Sequence, residues 1–309
     1  MVSDYKFYIL KTPIKKIKIN MPELPEVETT KNLLEPHLLG SKIDHIQFNR
    51  PNLRFPFPDI LQTHFHNATI LHLKRHGKYM LWHCDNGQSL IVHLGMTGRF
   101  LISHQHTVLP DFYHDYNITP KHEHCIFHFT NGKRISYYDP RRFGFFDCVP
   151  TDQLYQNKFL KILGLDGLGL IGQEDALFDK IKTKKSPIKN LLLDQSIIAG
   201  VGNIYASEAL WRAKIHPTTL GMHLKKSHIK LLTQYIDAIL RESIKGGGST
   251  LKDYRNPEGD SGHYQTGFKV YDCVGKPCKD QNCTGIIEKI VQSNRATFFC
   301  NQCQLVLSN

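Results

Sequence analysis

PELPEVETTKNLLEPHLLG, residues 22–40, decides how the chain is read. Proline at its first position and acidic residues over its first turn suit the donor-rich start of a helix. Apolar side chains at Val27, Leu34 and Leu38 recur along one face, and Gly40 stops the run. The segment predicts one amphipathic helix ending near Gly40. From there to about residue 150 the pattern changes. Apolar positions come in short runs, Thr69 to Leu73, Tyr79 to Trp82 and Ser89 to Leu94, divided by turn signals such as Asp85-Asn86-Gly87 and Asn131-Gly132. The expectation is a β-rich domain with one leading helix.

Residues 151–165 read as a connector, and 166 to 245 as helical, with apolar spacing clearest in LLTQYIDAIL, 231–240. Gly246-Gly247-Gly248-Ser249 ends the last helix. The stretch that follows, LKDYRNPEGDSGHYQTG, is too polar and Gly-rich to pack and reads as a mobile functional loop. A His- and Tyr-rich stretch around 103–121 reads as a long surface loop. No internal repeat is evident.

At 309 residues the chain can hold two modest domains and a small appended module. Lys and Arg exceed Asp and Glu by 39 to 28, a formal charge of +11 that favours an anionic partner such as nucleic acid. No stretch approaches the roughly 20 continuous apolar residues that span a bilayer, so no membrane is expected as a partner. The first twenty residues, MVSDYKFYILKTPIKKIKIN, carry five Lys and no apolar core followed by a small-residue cleavage site, so they do not read as a secretory signal.

Four of the eight cysteines crowd into the tail as close pairs, which suits metal in a reducing compartment better than disulfides and places the protein in the cytoplasm. Cys300 and Cys303 have the two-residue gap that aims both thiolates at one tetrahedral ion, and Cys278 and Cys283 lie upstream. Four thiolates would close a single structural zinc site. Cys273 stands at the same spacing before Cys278 as Cys278 before Cys283, so a Cys273/Cys278 pairing stays open. Cys84, Cys125 and Cys148 lie in β-like or turn segments and read as core residues.

Longer strings carry a resemblance. MPELPEVET (21–29), HLGMTGRF (93–100), DPRRFG (139–144), AGVGNIYASEALW (199–211) and the tail RATFFCNQCQ occur in the same order in bacterial formamidopyrimidine-DNA glycosylases, which this chain resembles from Met21 to near its end. The related endonuclease VIII branch, directed at oxidised pyrimidines, typically has Gly where this chain has Leu24, so the resemblance is to the purine-directed branch. It implies an α+β fold with a β-sandwich domain at 21–150, a linker at 151–165, a helix-two-turn-helix DNA-binding domain with its lesion loop at 166–265, and a zinc β-hairpin at 266–309. Residues 1–20 would be an extension outside the mature enzyme.

The resemblance also implies roles. Pro22, once terminal, would be the nucleophile and Glu23 an acid/base. Lys78 would assist β-elimination. Arg295 matches the proton donor for δ-elimination, but an always-charged guanidinium reads better as a phosphate clamp. Met96, Arg141 and Phe143 match residues that fill the void left by a flipped nucleotide, with arginine meeting the orphaned cytosine. His122, Lys184 and Asn203 match DNA contacts, Asn203 at a helix start where exposed N–H groups face phosphate. The zinc ligands would be Cys278, Cys283, Cys300 and Cys303.

The expected activity is excision of oxidised purines from damaged double-stranded DNA through an iminium, followed by β,δ-elimination, by a monomer. Two other readings remain at this stage. One is a catalytically silent DNA-binding protein, if the chain truly begins at Met1. The other is the same chemistry with a preference for pyrimidine lesions.

Overall fold

The computed structural model describes residues 22–104, 107–108, 119–248 and 267–308. The extension 1–20 with Met21, most of the 103–121 stretch and nearly all of the 246–267 loop lie outside the described residues.

Helix α1, Leu24–Leu38, opens where the Pro-rich start predicts. The Glu26 carboxylate reaches back one turn to accept the Glu23 backbone N–H at 2.9 Å, satisfying a donor with no partner within the helix. Past the helix end Gly40 takes φ +68°, a conformation open to glycine at little cost. The buried face of α1 is divided. Val27, Leu34 and Leu38 join the core of the β domain, while Leu24 joins the core of the helical domain. The first turn of α1 is therefore where the two halves of the protein meet.

Two antiparallel sheets make the sandwich. One runs in the order β2 (Ile70–His76), β3 (Tyr79–Cys84), β4 (Gln88–His93) and β9 (Phe145–Pro150). The other runs β1 (Ile43–Phe48), β7 (Glu123–Phe129), β8 (Lys133–Tyr138), β5 (Arg99–His104) and β6 (Thr107–Val108). Aromatic side chains join the sheets: Trp82 lies 5.1 Å from Phe127 and 5.6 Å from Phe100, and Phe146 meets Tyr137 at 5.0 Å. Removing a buried ring of this kind costs about 3–5 kcal/mol. The short helix α2 (Ile60–Phe65) adds Leu61 and Phe65 to the same core, and Cys84, Cys125 and Cys148 are buried in it. The 151–165 connector is anchored as well, since Leu154 and Leu160 pack on Leu81 and Ile91 on the outer face of the smaller sheet.

The second half begins with a short parallel pair, β10 (Leu165–Asp166) and β11 (Ile198–Ala199), and continues through helices α3 (Glu174–Ile181), α4 (Ile188–Leu193), α5 (Asn203–Arg212) and α6 (Lys226–Lys245). Ile229, Leu232, Ile236, Ile239 and Leu240 of α6 recur at three- and four-residue steps and are all buried. A last hairpin, β12 (Ile287–Gln292) and β13 (Arg295–Cys300), turns through Ser293 and Asn294, both at positive φ, which leaves Arg295 at its tip. Glu208 of α5 ties this module to the helices: its buried carboxylate accepts the backbone N–H groups of Lys269, Val270 and Tyr271 at 2.9–3.1 Å. Among the described residues no helix is long and apolar enough to cross a membrane.

Candidate active site and nucleic-acid interface

The starts of α1 and α5 face each other. The Leu24 N–H donates to the carbonyl of Gly200 at 3.1 Å, and the Ile204 N–H donates to the Glu23 carboxylate at 3.3 Å. Glu23 is buried beside a half-buried Pro22. Burial pushes its carboxyl up to about 7, helped by the charge of Glu26; the Lys78 ammonium and the backbone N–H groups of Ile204 and Tyr205 oppose the rise. A carboxyl poised there can give or take a proton near neutrality. Behind it, Glu26 accepts the Tyr205 hydroxyl at 2.7 Å, and that hydroxyl lies 2.6 Å from Ser243.

Lys78 sits in the turn between β2 and β3. Local sequence alone suggests a solvated lysine, but the structure buries it, and burial together with the neighbouring Arg295 lowers its pKa against the pull of Glu23 and Glu26. The turn is held from outside the domain. Asp166 accepts the Gly77 N–H at 2.7 Å and both terminal nitrogens of Arg75 at 2.7 and 2.9 Å, while Arg75 Nε donates to Glu28 at 2.7 Å. Such a bidentate, largely buried clamp fixes the approach of β2, α1 and the helical half to one another.

A second buried amine escaped the sequence reading. Lys189 of α4 is fully buried, donates to the Asn203 side-chain oxygen at 2.6 Å and to Thr297 at 2.8 Å, and is brought down to about 8, mainly by burial and then by Arg295. Asn203 begins α5 as expected, but its amide is committed within the protein, accepting from Lys189 and donating to the Ala296 carbonyl at 2.9 Å. At the helix start itself the N–H groups of Ile204 and Tyr205 are turned to Glu23. His93, at the end of β4, is also drawn in: burial, then Lys78 and Arg54, push it down to about 4.

Met96, Arg141 and Phe143 lie on two loops that the structure joins through Asp139. Asp139 is fully buried, accepting the Thr97 hydroxyl on one oxygen and the Gly144 N–H at 2.8 Å on the other. Thr97 Oγ1 in turn accepts the Arg141 N–H at 3.1 Å. Gly95 is essential to the fit, because at φ +65° a Cβ there would lie 2.3 Å from the backbone of Phe143 and Gly144. Arg141 and Phe143 are exposed, with the guanidinium 4.7 Å from the ring centre. His122 ends a short turn beside the same loop, its carbonyl accepting the Asp139 N–H at 3.1 Å. Lys184 lies apart, exposed beyond α3, and no described contact joins it to Glu23 or Lys78.

In the tail the sulfurs of Cys278, Cys283, Cys300 and Cys303 all lie within 4.8 Å of one another, with Cys278 and Cys303 at 3.8 Å and Cys283 and Cys300 at 3.5 Å. Zn–S bonds of about 2.3 Å in a tetrahedron place sulfurs about 3.8 Å apart, so the set fits such an ion. N–H groups of Trp211, Gly285 and Gln302 donate to three of the sulfurs, as suits thiolates. Cys273 is outside the cluster and points its thiol at the Phe268 carbonyl.

This arrangement has known counterparts. Residues 21–146 match the formamidopyrimidine-DNA glycosylase N-terminal domain, and residues 163–255 match the formamidopyrimidine-DNA glycosylase H2TH domain. The chain belongs to the formamidopyrimidine-DNA glycosylase family. A formamidopyrimidine-DNA glycosylase of Roseobacter denitrificans is 43% identical over 284 residues, covering 92% of this chain and all of the relative. That of Caulobacter vibrioides is 43% identical over 287 residues. The Lactococcus lactis enzyme bound non-covalently to DNA containing an abasic site superposes with a TM-score of 0.78 at 33% identity, covering 91% of this chain and 99% of that one. The same enzyme has been solved with DNA containing N7-benzyl-Fapy-dG, again at a TM-score of 0.78. As a member of this family the chain is a DNA-binding DNA-repair glycosylase, and its cysteine cluster is consistent with the zinc finger of its tail.

Proposed function

We propose that this glycosylase removes oxidised purines, 8-oxoguanine and formamidopyrimidines, from duplex DNA and then cleaves the strand as an abasic-site lyase. The observation that carries the reading is the pairing of a proton-active Glu23 with the buried Lys78 amine at the start of α1, next to Pro22. The Pro22 nitrogen attacks C1′ of the damaged nucleotide, and the glycosidic bond breaks with its electron pair leaving on the base, which takes up a proton. The nitrogen then loses its own proton, and its lone pair breaks the C1′–O4′ bond; the ring oxygen takes up a proton and an open-chain iminium is left. That electron sink makes the C2′ proton acidic; its removal expels the 3′ phosphate, and a second elimination expels the 5′ phosphate. Glu23 serves as the proton carrier, Lys78 assists the first elimination, and Arg295 at the hairpin tip holds the phosphate that departs.

Attack requires a secondary amine. With residues 1–21 attached, the Pro22 nitrogen is a tertiary amide with its lone pair delocalised, so the reacting molecule must begin at Pro22. Met96, Arg141 and Phe143 are assigned to the void and to the orphaned cytosine, and His122, Lys184 and the α5 start at Asn203 to phosphate. One zinc ion on the four clustered cysteines supplies structure alone, since four protein ligands leave no open position. The enzyme acts as a monomer in the cytoplasm.

Borohydride trapping on duplex DNA containing 8-oxoguanine tests the reading. Protein shown by intact mass to begin at Pro22 is expected to become fixed to the DNA, and protein retaining residue 1 is not. Trapping by the longer form would remove Pro22 as the nucleophile, whereas failure of both would favour a silent DNA-binding protein. A parallel panel of oxidised pyrimidines checks the substrate class, and faster excision of pyrimidines would overturn the purine preference.

A further inference from the structure

Arg54 stands on the segment between β1 and α2, and the chemistry proposed above does not use it. Its backbone N–H donates to the carbonyl of Gly144 at 3.2 Å, which stitches this segment to the loop bearing Arg141 and Phe143. Together they form a groove lined by Asn52, Leu53, Arg54, Arg141, Arg142 and Phe143. All three arginines are exposed, and among the described residues none of them pairs with a carboxylate. Three like charges around one groove repel each other until an anion answers them.

On its other side Arg54 leads back toward His93 and Lys78. Its guanidinium lies 5.5 Å from the centre of the Phe55 ring, Phe55 meets Phe145 edge-on at 5.3 Å, and Phe145 stacks on His93 at 5.2 Å. His93 feels the charges of both Lys78 and Arg54, and Lys78 feels that of Arg295. The cations therefore succeed one another from the hairpin tip at Arg295 through Lys78 and past His93 to Arg54. A nucleic-acid strand presents a phosphate at every residue, and a line of cations is the surface that fits it.

We propose that Arg54 is a phosphate-binding residue for the lesion-bearing strand, continuing the contacts at Arg295 and Lys78 along the flank of the Arg141–Phe143 loop. The choice of strand rests on the reading that the attacked sugar lies between Pro22 and Lys78, because the chain Phe55–Phe145–His93 joins Arg54 to the neighbourhood of Lys78. Since the Arg54 backbone is bonded to Gly144, the grip on the strand and the seat of the loop are parts of one unit.

The test uses protein beginning at Pro22 and duplexes carrying a tetrahydrofuran abasic analogue, with single phosphates replaced in turn by neutral methylphosphonates on each strand. Arg54→Gln is expected to weaken binding several-fold and to lower the slope of log affinity against log salt by about 1. One lesion-strand methylphosphonate should weaken the wild type but leave Arg54→Gln unchanged. Coupling confined to the opposite strand, or coupling to no phosphate, overturns the proposal. Arg295→Gln in the same scan separates the two levels of argument. If it couples to a lesion-strand phosphate while Arg54→Gln couples to none, Arg54 alone has been misassigned. If neither couples, the placement of the strand against Lys78 fails with it.

Discussion

A Cβ on Gly202 would lie 2.1 Å from the carboxyl carbon of Glu23, so α5 can begin against the acid of α1 only because residue 202 has no side chain. Its backbone, at φ −130° and ψ −162°, is extended and open to any residue. Gly202→Ala therefore carries no conformational strain of its own, and its whole cost falls on Glu23, which must leave the position where Ile204 donates to it. Protein with this change is expected to keep its fold and its affinity for duplex DNA while base excision slows by on the order of 10², the scale of a misplaced acid/base. Single-turnover excision beside equilibrium binding checks this. Unchanged excision would mean that Glu23 has no need of this position.

The pH dependence of stability isolates the same group. Glu23 rises from an ordinary 4.5 to about 7 on folding, so between those values the native state keeps a proton that the unfolded chain has released. Ionising it opposes folding, and its contribution to stability is lost as pH rises through that window. Glu23→Gln removes the titration while keeping an acceptor for Ile204. The stability of Glu23→Gln relative to wild type should therefore grow with pH, by up to about 3 kcal/mol across the window, in urea unfolding at a series of pH values. A difference independent of pH would show that the carboxyl ionises at its ordinary value.

How much of this could be read beforehand depends on how far apart the determinants lie in sequence. The helix at 24–38 and the hairpin turns at Asp85-Asn86-Gly87 and Asn131-Gly132 are local signals, and the structure places turns at both. Lys189 is different. In PIKNLLL a lysine looks like a helix's polar side, and it is buried only because Asn203 and Thr297, distant in sequence, converge on it. Asp139 was overshadowed by the two arginines that follow it, since its value comes from Thr97 on another loop. Cys273 and Cys278 could not be separated by spacing at all. The choice is made in three dimensions, where Trp211 and Cys303 meet Cys278.

That choice gives a direct metal test. Cys278→Ser should lose stoichiometric zinc and, with the hairpin that carries Arg295 no longer ordered, should lose DNA binding as well. Cys273→Ser should retain both, because the Cys273 thiol turns to the Phe268 carbonyl and stands outside the sulfur cluster. Metal content by mass spectrometry, measured on each variant with its DNA affinity, decides the matter. Full zinc in Cys278→Ser with loss in Cys273→Ser would reverse the ligand set.

The loops bearing Met96 and Arg141 share one buried acceptor, and this makes their alignment open to a single substitution. Asp139 uses both oxygens, one for the Thr97 hydroxyl and one for the Gly144 N–H. Asparagine has nearly the same shape but only one carbonyl oxygen, so Asp139→Asn turns an N–H₂ either toward the Thr97 hydroxyl or toward the Gly144 N–H, where the Tyr137 hydroxyl also points. The Thr97 hydroxyl can rotate away, and in doing so it changes the bond it makes to the Arg141 backbone. An unsatisfied buried donor costs about 1–3 kcal/mol, enough to loosen two surface loops but not a sandwich whose aromatic core lies elsewhere. Asp139→Asn is therefore expected to keep zinc, fold and cleavage of a preformed abasic site, while excision of 8-oxoguanine loses its dependence on the base opposite. Excision rates with cytosine and adenine opposite the lesion measure this, and Thr97→Val, which removes the other half of the bond, should have the same effect. If both variants discriminate as the wild type does, the two loops do not act together in opening the duplex.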